Sequence, residues 1–270
     1  MGAFSLIIKP DADEAEAAEI YVDGRIGGRA YRFLLDTGAG KSSVVSDDYT
    51  STFDSAEKHH SSGVFAKSSE DLITVPSIEV GSISRENFTL VRAAPIPGAA
   101  ERSSLIGMDL LKDFRLHLFF DQARVSVDED AGAPDYAVQD LMLDDRFHPY
   151  VEVQFEAASA KAVWDTGASL TIVDMAFVKK HPGAFQEVGQ STGTDATGAQ
   201  METPMFVMAA TTIGGCEFPS HRAAGVDLSA VNAMLDVPMD IILGYSTLRQ
   251  ANWLFDFPRR KWAVTKRLSV

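Results

Sequence analysis

The tripeptide Asp-Thr-Gly occurs twice in this chain, at residues 36–38 and 165–167. Each copy follows a short apolar run and precedes small residues, so each places a carboxylate where a predicted strand ends in a tight turn. Asp36 and Asp165 lie 129 positions apart (165 minus 36) in a chain of 270 residues. Two equivalent turns that each supply one carboxylate predict a dyad, an arrangement that can activate water.

Two neighbouring carboxylates can hydrolyse a peptide bond without a metal or a covalent nucleophile. Because like charges a few ångströms apart cannot both ionise cheaply, the pair shares one proton. The ionised member takes a proton from water, and the protonated member donates one towards the substrate carbonyl. The pair titrates as a unit, so the sequence assigns neither aspartate a fixed role.

The elements around the two turns also repeat. An upstream tyrosine recurs at the same 129-residue offset, and further along each half two apolar residues precede a glycine and a stretch with helical spacing. The matched landmarks are Tyr21 and Tyr150, Gly107 and Gly244, and the stretches 108–114 and 245–251. Three landmarks in the same order predict an internal duplication.

Most of the chain is predicted to form strands, because runs of β-branched and aromatic residues are broken by Gly, Pro, Ser and Asp. The candidate strands are 4–9, 30–35, 72–80, 88–93, 150–155, 161–164, 205–213 and 261–266. Asp174 is a plausible N-cap for a short helix over 175–180. The acidic stretch 128–134 has the composition of a linker. We therefore predict an N-terminal lobe over 1–128, a linker over 129–147 and a C-terminal lobe over 148–270.

With the hydrophobic-Asp-Thr-Gly-Ala segments at 35–39 and 164–168 and the glycine element in each half, the chain resembles the aspartic peptidases. It is most similar to the retropepsin-like kind of bacteria, with two halves fused in one chain, and is distantly pepsin-like. The resemblance covers about residues 20–128 and 148–266. It implies an all-β, bilobal acid-protease fold: two pseudo-twofold-related, barrel-like lobes with few short helices.

The resemblance also implies roles for the residues that follow each aspartate. Thr37 and Thr166 would each hold the opposing loop by hydrogen bonds. Gly38 and Gly167 would allow the tight turn and expose backbone N–H groups to the carboxylates.

Three residues after each aspartate stands an alanine, Ala39 or Ala168. Pepsin-like members commonly place a hydroxyl group here, and a donor to the ionised carboxylate lowers its pKa. Since both loops lack it, we predict a weakly acidic pH optimum. The resemblance further implies that Gly107 and Gly244 let a strand pass close beneath each catalytic loop.

A β-hairpin between the catalytic loop and the glycine element closes the cleft in this family. The candidate tip residues are Ser62, Gly63 and Phe65 in the first half and Thr197 and Gly198 in the second, in stretches that are polar and contain glycine. The sequence leaves open whether one flap or two close over the substrate.

Other candidate groups favour ordinary structural roles. His59 and His60 have no third ligand at metal spacing, so we predict a solvated loop, no metal site and no cofactor. Cys216 is the single cysteine, which excludes an intrachain disulfide. Lys41, close to the first aspartate, is predicted to face solvent.

Composition and net charge limit the kinds of partner that this protein can bind. The formal net charge of −14 argues against nucleic acid and anionic membrane surfaces, and 46% apolar with 23% charged residues is ordinary for a globular protein. No apolar run has the length of a membrane span, and the first ten residues lack a signal-peptide pattern. We expect a cytoplasmic or a mature exported protein.

The sequence therefore predicts an aspartic endopeptidase that acts as a monomer on peptide or protein substrates. The alternative is a catalytically silent protein that keeps the acid-protease fold and binds a peptide or a partner. Both aspartates, both threonines and both glycines are present, which favours the enzyme.

Overall fold

The structure, a computed structural model, describes residues 2–62, 67–95, 102–128, 136–194 and 200–269. Over these ranges the chain is mostly β-strand, and its α-helices are short. The expectation of an all-β fold with few short helices is confirmed. None of the helices in the described ranges is long and apolar enough to span a membrane.

The first half contains eleven strands and one α-helix in its described part. In chain order they are β1 (Gly2–Ser5), β2 (Ile7–Pro10), β3 (Ala18–Ile26), β4 (Arg29–Leu35), β5 (Ser43–Val45), β6 (Ser55–Ser62), β7 (Lys67–Val80), β8 (Ile83–Ala93), β9 (Ser104–Ile106), α1 (Met108–Leu111), β10 (Arg115–Phe119) and β11 (Arg124–Val127).

The second half has a similar succession. In chain order its elements are β12 (Gln139–Asp140), β13 (Met142–Leu143), β14 (Pro149–Gln154), β15 (Ser159–Trp164), β16 (Thr171–Asp174), α2 (Met175–Lys180), β17 (Phe185–Thr194), β18 (Gln200–Met208), β19 (Thr211–Ile213), β20 (Cys216–Phe218), β21 (His221–Val226), α3 (Ser229–Asn232), β22 (Ile241–Leu243), α4 (Tyr245–Leu248), β23 (Ala251–Asp256) and β24 (Lys261–Arg267).

Three sheets organise these strands. An eight-stranded sheet of the first half has the order β2-β3-β4-β9-β5-β8-β7-β6. A ten-stranded sheet of the second half has the order β17-β18-β21-β16-β22-β15-β14-β19-β20, with β13 added beside β14. In each sheet the strand that leads into Asp-Thr-Gly pairs in parallel with the strand of the glycine element, β4 with β9 and β15 with β22. The strands around the two Asp-Thr-Gly loops are therefore arranged in the same way in both halves.

The third sheet joins the halves. Its order is β1-β11-β10-β23-β24-β12, and the central pair β10–β23 brings strands of both halves together in antiparallel register. The predicted single strand 4–9 is wrong, because β1 and β2 lie in different sheets and Leu6 between them donates its N–H to the Ala123 carbonyl at 2.7 Å. The predicted strand 205–213 likewise divides into β18 and β19. Residue patterns mark extended backbone but do not show where a chain changes sheets.

The helix predictions are right in place and too long in two cases. α2 spans residues 175–180 as expected, and the Asp174 side chain accepts the Ala176 N–H at 3.3 Å, as an N-cap does. α1 and α4, expected over 108–114 and 245–251, end at Leu111 and Leu248. Each therefore makes about one turn before the chain enters the sheet that joins the halves.

An aromatic cluster lies beneath the second Asp-Thr-Gly loop. Trp164, which precedes Asp165, is fully buried, and its ring centroid lies 4.4 Å from that of Phe255 and 5.9 Å from that of Trp253. Side chains of this size contribute roughly 1.5–3 kcal/mol each when they leave water. Because Phe255 and Trp253 belong to the sheet that joins the halves, this packing fixes the second loop against it.

Candidate active site

The two Asp-Thr-Gly loops meet in the structure. Asp36 follows β4 and donates its backbone N–H to the Ile106 carbonyl at 2.9 Å, while Asp165 follows β15 and donates to the Leu243 carbonyl at 3.0 Å. Both acceptors end the strand of the glycine element. Each aspartate is therefore held where two parallel strands end, because the same local topology occurs in both halves.

The two threonines connect the loops by reciprocal hydrogen bonds. The Thr37 N–H donates to Thr166 Oγ1 and the Thr166 N–H donates to Thr37 Oγ1, both at 3.1 Å. Thr37 Oγ1 donates in turn to the Trp164 carbonyl at 2.8 Å. Both threonines are 1% exposed, so breaking either bond would leave a buried N–H without an acceptor. These hydrogen bonds set the distance between the two loops.

Each glycine lies against the aspartate of the opposite loop. A Cβ at Gly38 would lie 2.3 Å from Asp165 Oδ2, and a Cβ at Gly167 would lie 2.4 Å from Asp36 Cγ. A side chain at either position would displace the opposite carboxyl group, because non-bonded carbon and oxygen atoms need more than 3 Å. The cross-packing brings the two carboxyl groups into one site.

The two carboxyl groups differ in their hydrogen bonds. Asp165 Oδ1 accepts the N–H of Gly167 at 2.7 Å and that of Gly38 at 3.1 Å. Asp36 is 7% exposed, whereas Asp165 remains partly exposed. Backbone donors favour an ionised carboxylate, so this geometry favours negative charge on Asp165.

The environment raises the pKa of both carboxyl groups. Burial raises the pKa of Asp36 well above its ordinary value, and the negative charge and hydrogen bond of Asp165 raise it further, against the lowering by the N–H groups of Gly38 and Ala39. Burial also raises the pKa of Asp165, against the lowering by the N–H groups of Gly167 and Gly38. Two interacting acids with raised values can hold a proton between them in weakly acidic solution, which a general acid–base pair requires.

The two downstream glycines lie under the catalytic loops. A Cβ at Gly107 would be 2.7 Å from the Ala39 carbonyl oxygen, and one at Gly244 would be 2.3 Å from the Leu170 carbonyl oxygen. The N–H groups that follow, of Met108 and Tyr245, donate to the loop carbonyls at 2.8 and 2.9 Å. The glycine elements thus support the loops through close backbone contact.

Sequence reasoning missed a buried hydroxyl six residues after each aspartate. Ser42 Oγ accepts the Gly107 N–H at 3.0 Å, and Thr171 Oγ1 accepts the Gly244 N–H at 3.2 Å. Both residues are fully buried. The signal in the sequence was a serine or threonine six residues after each aspartate. The hydrogen-bond partners of these hydroxyl groups, the N–H groups of the downstream glycines, are visible only in the tertiary structure.

The structure places a hairpin where each flap was expected. β6 pairs with β7 in the first half, and β17 pairs with β18 in the second. Ser62 ends β6 opposite Lys67, while the tip candidates Gly63, Phe65, Thr197 and Gly198 lie outside the described residues. The hairpins occupy the expected part of each half, and their tip contacts remain predictions.

The remaining candidates lie away from the dyad's hydrogen bonds. His59 and His60 were expected in a loop, which is wrong, since both lie on β6. Lys41 is exposed, and Cys216 is partly buried on β20. The described residues contain no group of three or more His, Cys, Asp or Glu side chains that could hold a metal ion. Surface cavities of about 490 and 250 Å³ are lined by residues other than the two aspartates.

A pair of ionisable side chains close to the dyad's second half, Asp144 and His148, precedes β14, and sequence reasoning missed it. His148 Nδ1 lies 2.7 Å from Asp144 Oδ2, and the side chains are 11% and 4% exposed. The charge of His148 lowers the pKa of Asp165, against the dominant effect of burial. This pair is therefore part of the electrostatic environment of the dyad.

One comparison with known proteins bears on this geometry. Residues 22–110 match the family model described as Aspartyl protease. The matched range contains Asp36, Thr37, Gly38 and Gly107, whereas the second Asp-Thr-Gly lies beyond it. A search of curated proteins found no significant match. The match supports an aspartyl protease family for this chain over about a third of its length.

Proposed function

We propose that this protein is an aspartic endopeptidase that hydrolyses peptide bonds with water activated between Asp36 and Asp165. One observation carries the proposal: reciprocal threonine hydrogen bonds and cross-packed glycines bring the two carboxyl groups into one buried site. A turn with only a structural role would need neither contact with the second loop nor a glycine packed against the carboxyl group of that loop. The aspartyl protease match over residues 22–110 supports the same activity.

In the proposed reaction the ionised carboxylate takes a proton from a water molecule while the water oxygen attacks the carbonyl carbon. The protonated carboxyl group donates its proton to the carbonyl oxygen, which produces a neutral tetrahedral diol. The diol then collapses: the C–N bond breaks, the amine nitrogen takes the proton that the first carboxylate received from water, and a diol hydroxyl group gives its proton to the other carboxylate as the new acid leaves. The dyad holds one proton before and after the reaction, so the step requires no cofactor.

We further propose that the enzyme is retropepsin-like, of the bacterial kind, and arose by duplication of one half. We propose the lobe boundaries expected from the sequence, 1–128 and 148–270, with a linker over 129–147. Equivalent parallel pairings, β4–β9 and β15–β22, support this interpretation. Because one chain supplies both aspartates, we propose that it acts as a monomer.

The substrate is proposed to be a peptide or an unstructured protein segment bound in extended form beneath the two hairpins. A weakly acidic pH optimum is proposed because Ala39 and Ala168 supply no side-chain hydroxyl to the carboxylates and burial raises the pKa of both aspartates. Maximal activity near pH ~2 would contradict this account.

The test is cleavage of casein across a pH series, with and without pepstatin. We expect cleavage by the wild type, and loss of it in Asp36→Asn and in Asp165→Asn, because each amide can neither take up nor supply the catalytic proton. Unfolding curves of the variants control for folding. Equal behaviour of wild type and both variants would contradict the proposal and favour a silent peptide- or partner-binding protein.

A further inference from the structure

The segment 144–148 is a rigid turn built around a buried carboxylate. Asp144 Oδ1 accepts the N–H groups of Arg146 at 3.0 Å and His148 at 2.9 Å, and Oδ2 meets the His148 ring. Phe147 between them adopts a left-handed conformation with φ of 67°. Left-handed backbone is strained for a bulky residue, and buried ion pairs add little net stability, so stability alone does not explain this turn.

Strand register brings His148 to the same end of the β14–β15 pair as Asp165. β14 and β15 are antiparallel, and Tyr150 lies opposite Val163. His148 precedes Tyr150 by two residues and Asp165 follows Val163 by two, so both lie just beyond the last paired residues at one end of this ladder. The same turn contacts the other loop, since the Arg146 carbonyl oxygen lies 3.0 Å from the Cβ position of Gly40. The turn therefore contacts the first catalytic loop, and the charge of His148 acts on Asp165 of the second.

The first half carries an acid at the equivalent position. Tyr21 is the counterpart of Tyr150 and lies opposite Leu34, so Glu19, two residues before Tyr21, holds the position that corresponds to His148. The Glu19 carboxylate pairs with Lys9 at 3.1 Å, and both side chains are exposed. The corresponding positions of the two halves therefore differ, with a buried imidazole in the second half and an exposed carboxylate in the first.

We propose that His148, held by Asp144, is a positioning residue that makes Asp165 the ionised member of the dyad and leaves the shared proton on Asp36. The inference rests on the proposed function, because it assigns the roles within the same dyad. It implies that Asp165 takes the proton from water and that Asp36 donates to the substrate carbonyl.

The charges around the turn agree with this assignment. Although burial raises the pKa of Asp144, hydrogen bonds and the charge of His148 lower it overall, so its carboxylate favours an imidazolium partner. The other charged side chains of the turn, those of Asp145 and Arg146, are exposed, and Lys112 Nζ lies 4.1 Å from the centroid of the Phe147 ring.

The test variant is His148→Asn, whose amide N–H can replace the Nδ1 bond to Asp144 but carries no charge. Loss of the cation should raise the pKa of the acid limb of the kcat/KM profile by about 0.5–1 pH unit. Glu19→Gln is the matched control, because it changes the equivalent position of the first half, and its acid limb should stay at the wild-type value. Thermal unfolding of both variants checks the fold.

A second measurement does not depend on turnover. Carbon-13 NMR of aspartate carboxyl groups, assigned with Asp36→Asn and Asp165→Asn, follows the dyad in the full chain. We expect the first titration step to belong to Asp165 and to rise in His148→Asn. A first step on Asp36, or a titration unaffected by His148→Asn, overturns the inference. Aspartate-dependent casein cleavage would then still stand, so failure of this inference and failure of the proposed function are distinguishable.

Discussion

The Gly167→Ala variant tests most sharply whether the cross-packed loops form a working dyad. The added Cβ would lie 2.4 Å from Asp36 Cγ, 2.6 Å from Oδ1 and 2.7 Å from Oδ2. Non-bonded carbon atoms are optimally separated by about 3.5–4.0 Å, so the Asp36 carboxyl group must move by roughly 1 Å. The φ angle of Gly167 is not in the left-handed region, so the effect of this substitution is steric.

The displacement should affect turnover far more than stability. A misplacement of about 1 Å at reacting groups costs on the order of 100-fold in rate, whereas overpacking a well-packed site costs about 1–3 kcal/mol. We therefore expect kcat on casein to fall about 100-fold, with the protein still folded at 25 °C. The free energy of unfolding, measured by urea denaturation, gives the stability change.

Gly183→Ala is the matched control. No atom lies within 4 Å of a Cβ at Gly183, so this change should leave both turnover and stability close to wild type. Wild-type turnover in Gly167→Ala, with Asp36→Asn inactive, would refute the account, because the carboxyl geometry would then tolerate a displacement that we infer to be disruptive.

Two further predictions concern stability. Thr166→Val removes the acceptor of the buried Thr37 N–H and should lower the free energy of unfolding by about 1–3 kcal/mol in urea denaturation, whereas an unchanged midpoint would show that this bond does not hold the loops together. Burial and the charge of Asp165 raise the folded-state pKa of Asp36, so its contribution to stability is full below the unfolded value near ~3.9 and is lost as pH rises through the folded value. Asp36→Asn should therefore gain thermal stability over wild type as pH is raised from ~4 to neutrality, and a gap that stays constant across that range would contradict the raised value.

Several features of the site could be predicted from residue types and spacing. A repeated strand, Asp-Thr-Gly and downstream glycine indicated two equivalent loops, because these positions need a strand end, a hydroxyl group and backbone without a side chain. The N-cap at Asp174 was also predictable, since capping depends on a few neighbouring residues. Such signals are local in the chain or repeat at a fixed offset.

Other features depend on residues far apart in the chain. Ser42 and Asp109 are joined by a 2.6 Å hydrogen bond across 67 positions, and nothing near Ser42 marks its partner. The division of residues 2–10 into β1 and β2 depends on which sheet offers a free edge. Both outcomes are decided by the packing of the whole molecule.

The sequence by itself determined the chemistry that is available: two carboxylates, two hydroxyl groups and two glycines in equivalent turns, within a chain that forms strands. Only the tertiary structure decided how the two equivalent loops differ. Asp165 Oδ1 accepts the N–H groups of both Gly38 and Gly167, and the charge of His148 acts on Asp165. A repeat in sequence specifies two similar turns, whereas the charge each turn experiences comes from neighbours that the fold brings together.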